Sequence, residues 1–212
     1  TVSFKELNED ARVPADENEP NLIEKINNIV KENPNKQITF NYYISNIERI
    51  LNIIKTNPRT VVLDAYYSYV LKHATGYQSY YYQLDDRDYG LDKNYEVEFE
   101  KLLQDEGSYF WQLDTLAIEH FDRLKENGIY VHSNATPLGD FDPKYAPFIK
   151  RFEDHNIEFK LAGCSGHAYP FDLIEIIDLI KPKLLVPIHS YHPERLYNKS
   201  GDVLLPEKKQ TI

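Results

Sequence analysis

The 212-residue chain is 42% hydrophobic and 27% charged, which excludes wholesale disorder and allows one ordinary domain or two small ones. It carries 24 Lys and Arg against 34 Asp and Glu, a net charge of −10. That balance argues against a freestanding nucleic-acid clamp with a basic stripe, although a locally basic cleft stays open.

Residues 1–20 are polar, with Pro14 and Pro20, and read as an irregular lead-in without the apolar core of a signal peptide. From Asn21 to Asn33, Leu22, Ile23, Ile26, Ile29 and Val30 fall on one helical stripe, which Pro34 ends. Gln37–Tyr43 is β-rich. Ser45 is the expected N-cap of the next helix, with Glu48 at the capping-box position and Ile47, Ile50, Leu51 and Ile54 as its stripe. Thr60–Asp64 is a short apolar run of the kind buried in a parallel sheet, completing a βαβ unit.

The middle is less legible. Tyrosines crowd Ala65–Gln83, and Asp85–Asn94 is a charged loop. Glu96–Leu103 reads as a short helix, Gly107–Leu113 as a strand, and Asp114 as the N-cap of a helix to about Lys125. Ile129–His132 is a strand and Pro143–His155 a helix with Pro143 in its first turn. Ile157–Ala162 is a strand leading into Gly163–Ala168. An apolar helix from Phe171 to Ile180 and a strand at Leu184–Ile188 then make a second βαβ-like unit. No apolar run reaches the roughly 18 residues that would span a bilayer, so no membrane partner is expected. The single cysteine, Cys164, excludes a disulfide framework and fits a reducing, cytoplasmic compartment.

Two of the seven histidines, His167 and His189, each follow a predicted strand, where open α/β sheets bind ligands. Ser165 and Gly166 allow a tight turn whose N–H groups can face an anion. Both histidines can equally be plain loop residues. Asp64, at another strand end, points into a cleft or merely caps a helix. Ser133 and Asn134 follow a strand and suit phosphate or ribose contacts or, equally, turn chemistry, whereas Asp142-Pro143 reads as a turn. The tyrosine-rich stretch is a base-stacking platform, core, a lid, or a subunit interface that would build a homodimer. No complete local metal or nucleotide motif is present.

Cys164–Glu194, CSGHAYPFDLIEIIDLIKPKLLVPIHSYHPE, resembles the C-terminal signature of metallo-β-lactamase-fold hydrolases of the β-CASP, ribonuclease J-like group. Asn41–Lys55 with the following TVVLD resembles the β-CASP insert more loosely, and Ser133–Pro143 resembles a segment of the bacterial members. The resemblance implies an α/β fold: a parallel-sheet β-CASP-like cap domain followed by the C-terminal strands and helix of an αββα metallo-β-lactamase sandwich. The implied boundaries are 1–20 for the lead-in, 21–150 for the cap and 151–212 for the sandwich's return. The chain contains no methionine, which suggests an internal or C-terminal piece of a longer protein.

By the same resemblance, Asp64 orients His167, which protonates the leaving group or binds the scissile phosphate, and His189 is a zinc ligand. Ser133, Asn134, Ser165 and Gly166, from their strand-end and tight-turn positions, are the candidate substrate contacts beside them. Two zinc ions are implied, with most ligands in an N-terminal half carrying HxHxDH, which this chain lacks. The fragment alone should therefore be inactive. The departure at Ser190-Tyr191-His192, where ribonuclease J has Gly-Glu-Tyr, weakens the case for exonuclease specificity. The implied activity is zinc-dependent cleavage of RNA. Hydrolysis of a small ester or lactone, and a non-catalytic binding or assembly module, are the alternatives.

Overall fold

Residues 18–164, 168–188, 190 and 192–207 are described by a computed structural model of the chain, in two units: 18–164, and the described residues from 168 onward. The first unit opens with α1 (Glu19–Glu32). Asn18 caps it by accepting from the Asn21 N–H at 2.9 Å, and Pro20 fits its first turn. After β1 (Ile38–Tyr42) comes α2 (Ile47–Thr56). Its cap is Asn46 rather than the expected Ser45, because the Asn46 side chain accepts from the Arg49 N–H at 3.3 Å.

Six strands form one sheet: β1, β2 (Thr60–Asp64), β3 (Tyr80–Tyr82), β4 (Tyr109–Gln112), β5 (Ile129–Ser133) and β6 (Glu158–Leu161). Their order is β3-β2-β4-β1-β5-β6, and every pairing is parallel. A parallel sheet needs both faces covered. On one face Phe40 and Phe110, ring centroids 4.2 Å apart, pack with Ile26 of α1, Ile50 and Ile53 of α2, and Leu71 of α3 (Ala65–Thr75). On the other, Trp111, Tyr82 and Tyr130 pack with Leu102 of α4 (Phe99–Gln104), Phe121, and Phe152 of α5 (Tyr145–Asp154). Each such side chain contributes roughly 1.5–3 kcal/mol by leaving water.

Further expectations change in the first unit. The first βαβ unit is present, but β4 lies between β1 and β2 and pairs with both. The helix expected from Asp114 to Lys125 is instead 3₁₀ structure over Thr115–Arg123, broken at Ala117, whose φ −89° and ψ 40° are not helical. The expected boundary at 150 falls inside α5. Residues 151–164 stay with the first unit because β6 adds to its sheet edge at β5.

The second unit holds α6 (Pro170–Ile180), β7 (Leu184–Leu185) and β8 (Asp202–Val203), with β7 and β8 parallel. The strand expected over Leu184–Ile188 is cut short at Leu185, just ahead of Pro187, which has no N–H to give a ladder. Since β6 pairs with β5 and β7 with β8, the expected second βαβ unit is not one sheet. Ile177 and Leu196 pack with Leu173 and Leu185, while Leu179 is 81% and Ile188 73% exposed. No helix among the described residues is long and apolar enough to cross a membrane.

Candidate functional site

The carboxyl edge of the six-stranded sheet is where chain directions part. β1 and β2 are followed by α2 and α3, which cover one face. β4 and β5 are followed by the 3₁₀ segment and α5, which cover the other. Such switch points leave a crevice at the strand ends. Here it is a cavity of about 250 Å³, lined by Asn41, Tyr43, Tyr67, Asp114, Thr115 and Thr136 among others.

Asp64 ends β2 at this edge. Its carboxylate accepts the Tyr66 N–H at 2.9 Å and so caps α3, while its own N–H donates to the Gln112 side-chain oxygen at 2.9 Å. The cap reading from sequence holds for this residue, which stands at the same strand-end edge as the cavity but does not line it. Burial raises its carboxyl to about 6, and the neighbouring Asp114 and Asp85 carboxylates push the same way against the Tyr66 hydrogen bond. Asp114 accepts from the Tyr67 hydroxyl. Burial and that donation raise the Tyr67 phenol, so it stays protonated. Tyr82 lies opposite Asp64 in the β2–β3 register. Its fully buried hydroxyl has no hydrogen-bond partner among the described residues, and burial and both carboxylates keep it neutral.

A chain of buried amides ties these strand ends together. Gln112 Nε2 donates to Asn41 Oδ1 at 3.1 Å, and the same oxygen accepts the Tyr42 N–H at 2.9 Å. Asp114, Tyr67, Gln112 and Asn41 were not singled out from sequence as site residues. A usable signal exists, since Gln112 is the one polar residue in the apolar run Tyr109–Leu113 and Asp114 follows a strand as Asp64 does.

Ser133 and Asn134 lie at the end of β5 but serve a different network. Arg49, only 3% exposed, donates to Ser133 Oγ at 3.2 Å, to the Ser133 carbonyl at 3.3 Å and to Asn134 Oδ1 at 2.8 Å. It also makes a two-point pair with Glu19, at 3.0 and 2.5 Å. Asn134, at φ +56°, accepts the Cys164 N–H at 3.1 Å, and Cys164 Sγ contacts Glu19 at 3.3 Å. Arg49 holds the Glu19 carboxyl below its ordinary range, while burial and then Glu19 raise the Cys164 thiol. Ser133 is closed to solvent within this network. Asp142 makes the expected turn, accepting from the Lys144 N–H at 2.9 Å.

Tyrosines divide between roles. Tyr81 and Tyr82 are core, whereas Tyr66 and Tyr69 of α3 gather their rings with Tyr89 at 5.8–6.4 Å. His132, next to the expected contacts, is a buried core residue whose Nε2–H donates to the Pro137 carbonyl at 2.9 Å. Ser165, Gly166, His167 and His189 lie outside the described residues. The idea that parallel strands of one sheet bring the two histidines to a common edge loses its basis, since β6 and β7 belong to different sheets. Among the described residues no group of three or more His, Cys, Asp or Glu side chains is arranged to hold a metal ion.

No protein-family model matches the chain, and no curated protein matches it. A solved structure does: a protein of unknown function from Enterococcus faecalis V583, 41% identical, with a TM-score of 0.85 over 97% of this chain. The chain spans 48% of that protein's length, so it corresponds to about half of its relative.

Proposed function

We propose that this chain is the cap and C-terminal part of a β-CASP-type metallo-hydrolase that cleaves RNA phosphodiesters. Asp64 carries the reading. It is a carboxylate at the switch-point edge of a parallel sheet, its proton affinity raised by burial to about 6, so pairing with a cationic imidazole would be favoured there. His167 stands three residues beyond Cys164, whose N–H is fixed at the same sheet edge by Asn134. In this reading His167 gives a proton to the leaving oxygen, and Asp64 holds its ring and stabilises its charged form. His189 and ligands outside this chain would hold zinc, which would supply activation of the attacking water. Two further facts support a partial sandwich: the apolar exposure of Leu179, Ile180 and Ile188 in the second unit, and a relative about twice as long.

The test is zinc-dependent RNA cleavage by the longer natural chain that contains these residues. His167→Ala should lose about 10²–10⁴ in rate, and Asp64→Asn a smaller part with a shifted pH profile. Unchanged cleavage in both variants would overturn the assignment. The acidic edge of Asp64, Asp85 and Asp114 favours a second reading, a small uncharged ester or lactone as substrate.

A further inference from the structure

A second and larger cavity opens in the first unit between the 3₁₀ segment and α5. It has a volume of about 590 Å³ and shares Thr115 and Thr136 with the switch-point crevice, so the two are neighbours along one edge. Its lining is mostly apolar, from Pro137, Pro143, Pro147 and Phe148. Its charged residues are Lys144, Lys150, Arg151 and Asp154. Arg151 is paired with Asp122 at 2.7 Å and Lys150 with Asp154 at 2.8 Å, whereas the exposed Lys144 has no carboxylate partner among the described residues.

The edge is thus electrically divided in a chain of net charge −10. Carboxylates gather at the β2–β3 end, around Asp64, Asp85 and Asp114, while an unpaired ammonium sits at the α5 end beside an apolar slot. A flat apolar ring bearing an anion fits that combination. Aromatic or apolar surface takes the base, and a lysine takes the phosphate.

We infer that the groove between the 3₁₀ segment and α5 is a subsite for one nucleotide of single-stranded RNA, with the base on the proline-lined wall beside Phe148 and a phosphate on Lys144. The inference rests on the RNA reading above and extends it: the strand runs from the crevice toward α5 and away from the carboxylates.

Two measurements separate the subsite from the parent reading. First, uridine 5′-monophosphate is titrated into the 212-residue chain and followed by amide chemical shifts. Shifts centred on Thr115, Thr136 and Lys144 are expected, as is at least fivefold weaker binding in Lys144→Ala. Lys144 is exposed, so folding is spared. Pro147→Glu, an exposed first-turn site where a carboxylate suits the helix, should abolish the shifts by placing negative charge in the slot. Shifts elsewhere, or none, overturn the subsite. Second, RNA cleavage by the longer natural chain is measured for the same variants. KM should rise, and the salt dependence of binding should lose about one phosphate's worth of slope in Lys144→Ala. Cleavage with KM and slope unchanged overturns the subsite and leaves the parent reading standing. Nucleotide binding in the groove without any RNA cleavage overturns the parent reading alone.

Discussion

Arg49 and Asn134 meet at 2.8 Å, and the Asn134 oxygen that accepts this guanidinium also accepts the Cys164 N–H. One contact therefore joins helix α2, the end of β5 and the last residue of the first unit. Arg49→Ala would take a donor from buried Ser133 and one of the two donors from the half-buried Asn134 oxygen, and would release the half-exposed Glu19, which counts for less. The expected loss is about 3 kcal/mol by urea unfolding. Arg49→Lys should recover only part of it, because an ammonium lacks the planar fork that spans both carboxylate oxygens. A loss below about 0.5 kcal/mol would show that the network is ornamental.

Gly163 gives a second, steric prediction at the same place. A Cβ there would stand 2.6 Å from Asn134 Oδ1 and 2.7 Å from its Nδ2. That side chain cannot swing away without releasing both Arg49 and Cys164. Gly163→Ala should therefore destabilise the chain by roughly 1–3 kcal/mol, despite adding one methyl group. In an Asn134→Ala background the same substitution should cost much less, so a double-mutant cycle on thermal unfolding measures the coupling.

The frame of the first unit was legible because its signals are local. Thr60–Asp64 is a strand to the residue, and the apolar stripes of α1 and α2 are buried as their spacing requires. Helix α3 was hidden by Tyr66, Tyr67 and Tyr69, residues that suit strands as readily as helices. Strand order was not legible, since insertion of β4 between β1 and β2 depends on packing across some fifty residues. The pairing of β7 with β8 rather than β6 is equally non-local. Among the candidate residues, Asp64 was visible as a charged strand end. The buried roles of Ser133 and Asn134 depend on Arg49, more than eighty positions earlier, and no spacing rule links them.

Asp64 sets a pH dependence. Its carboxyl titrates near 6 in the folded chain, chiefly from burial, against 3.8 for an ordinary aspartate. The folded state thus holds its proton more tightly than the unfolded state does. Stability from this group is full below about pH 4, falls as pH rises, and is lost above about 6, where the charged carboxylate is a liability. Asp64→Asn removes the charge and keeps an oxygen able to cap α3. It should stabilise the chain at pH 7 by about 1–3 kcal/mol and leave it unchanged near pH 4. Urea midpoints at the two pH values check this, and an equal effect at both would refute the titration.

Gln112 is the tie between Asp64 and Asn41. Gln112→Leu keeps much of the volume but leaves the Asp64 N–H without its acceptor and Asn41 Oδ1 with one donor fewer. The cost should be about 1–3 kcal/mol. Amide hydrogen exchange locates the damage: faster exchange confined to the ends of β1, β2 and β4 is expected, with β6 unaffected. Uniform loss of protection would mean that Gln112 supports the whole core rather than the edge.

Ionic strength separates the two substrate readings. A single-stranded RNA must shed counterions when bound, so log affinity falls with log salt at about −0.7 for each phosphate neutralised. If two phosphates are engaged, binding should weaken roughly sevenfold between 50 and 200 mM salt. A neutral ester has no counterions to release and should show almost no slope. The local charge makes this sharp, because Asp64, Asp85 and Asp114 repel a polyanion at one end of the edge while Lys144 attracts it at the other. Raising salt weakens that attraction and that repulsion together. A negative slope therefore requires the cationic end to dominate, as an RNA track over α5 demands. A flat or positive slope would favour the small-ester reading and place the substrate at the carboxylate end.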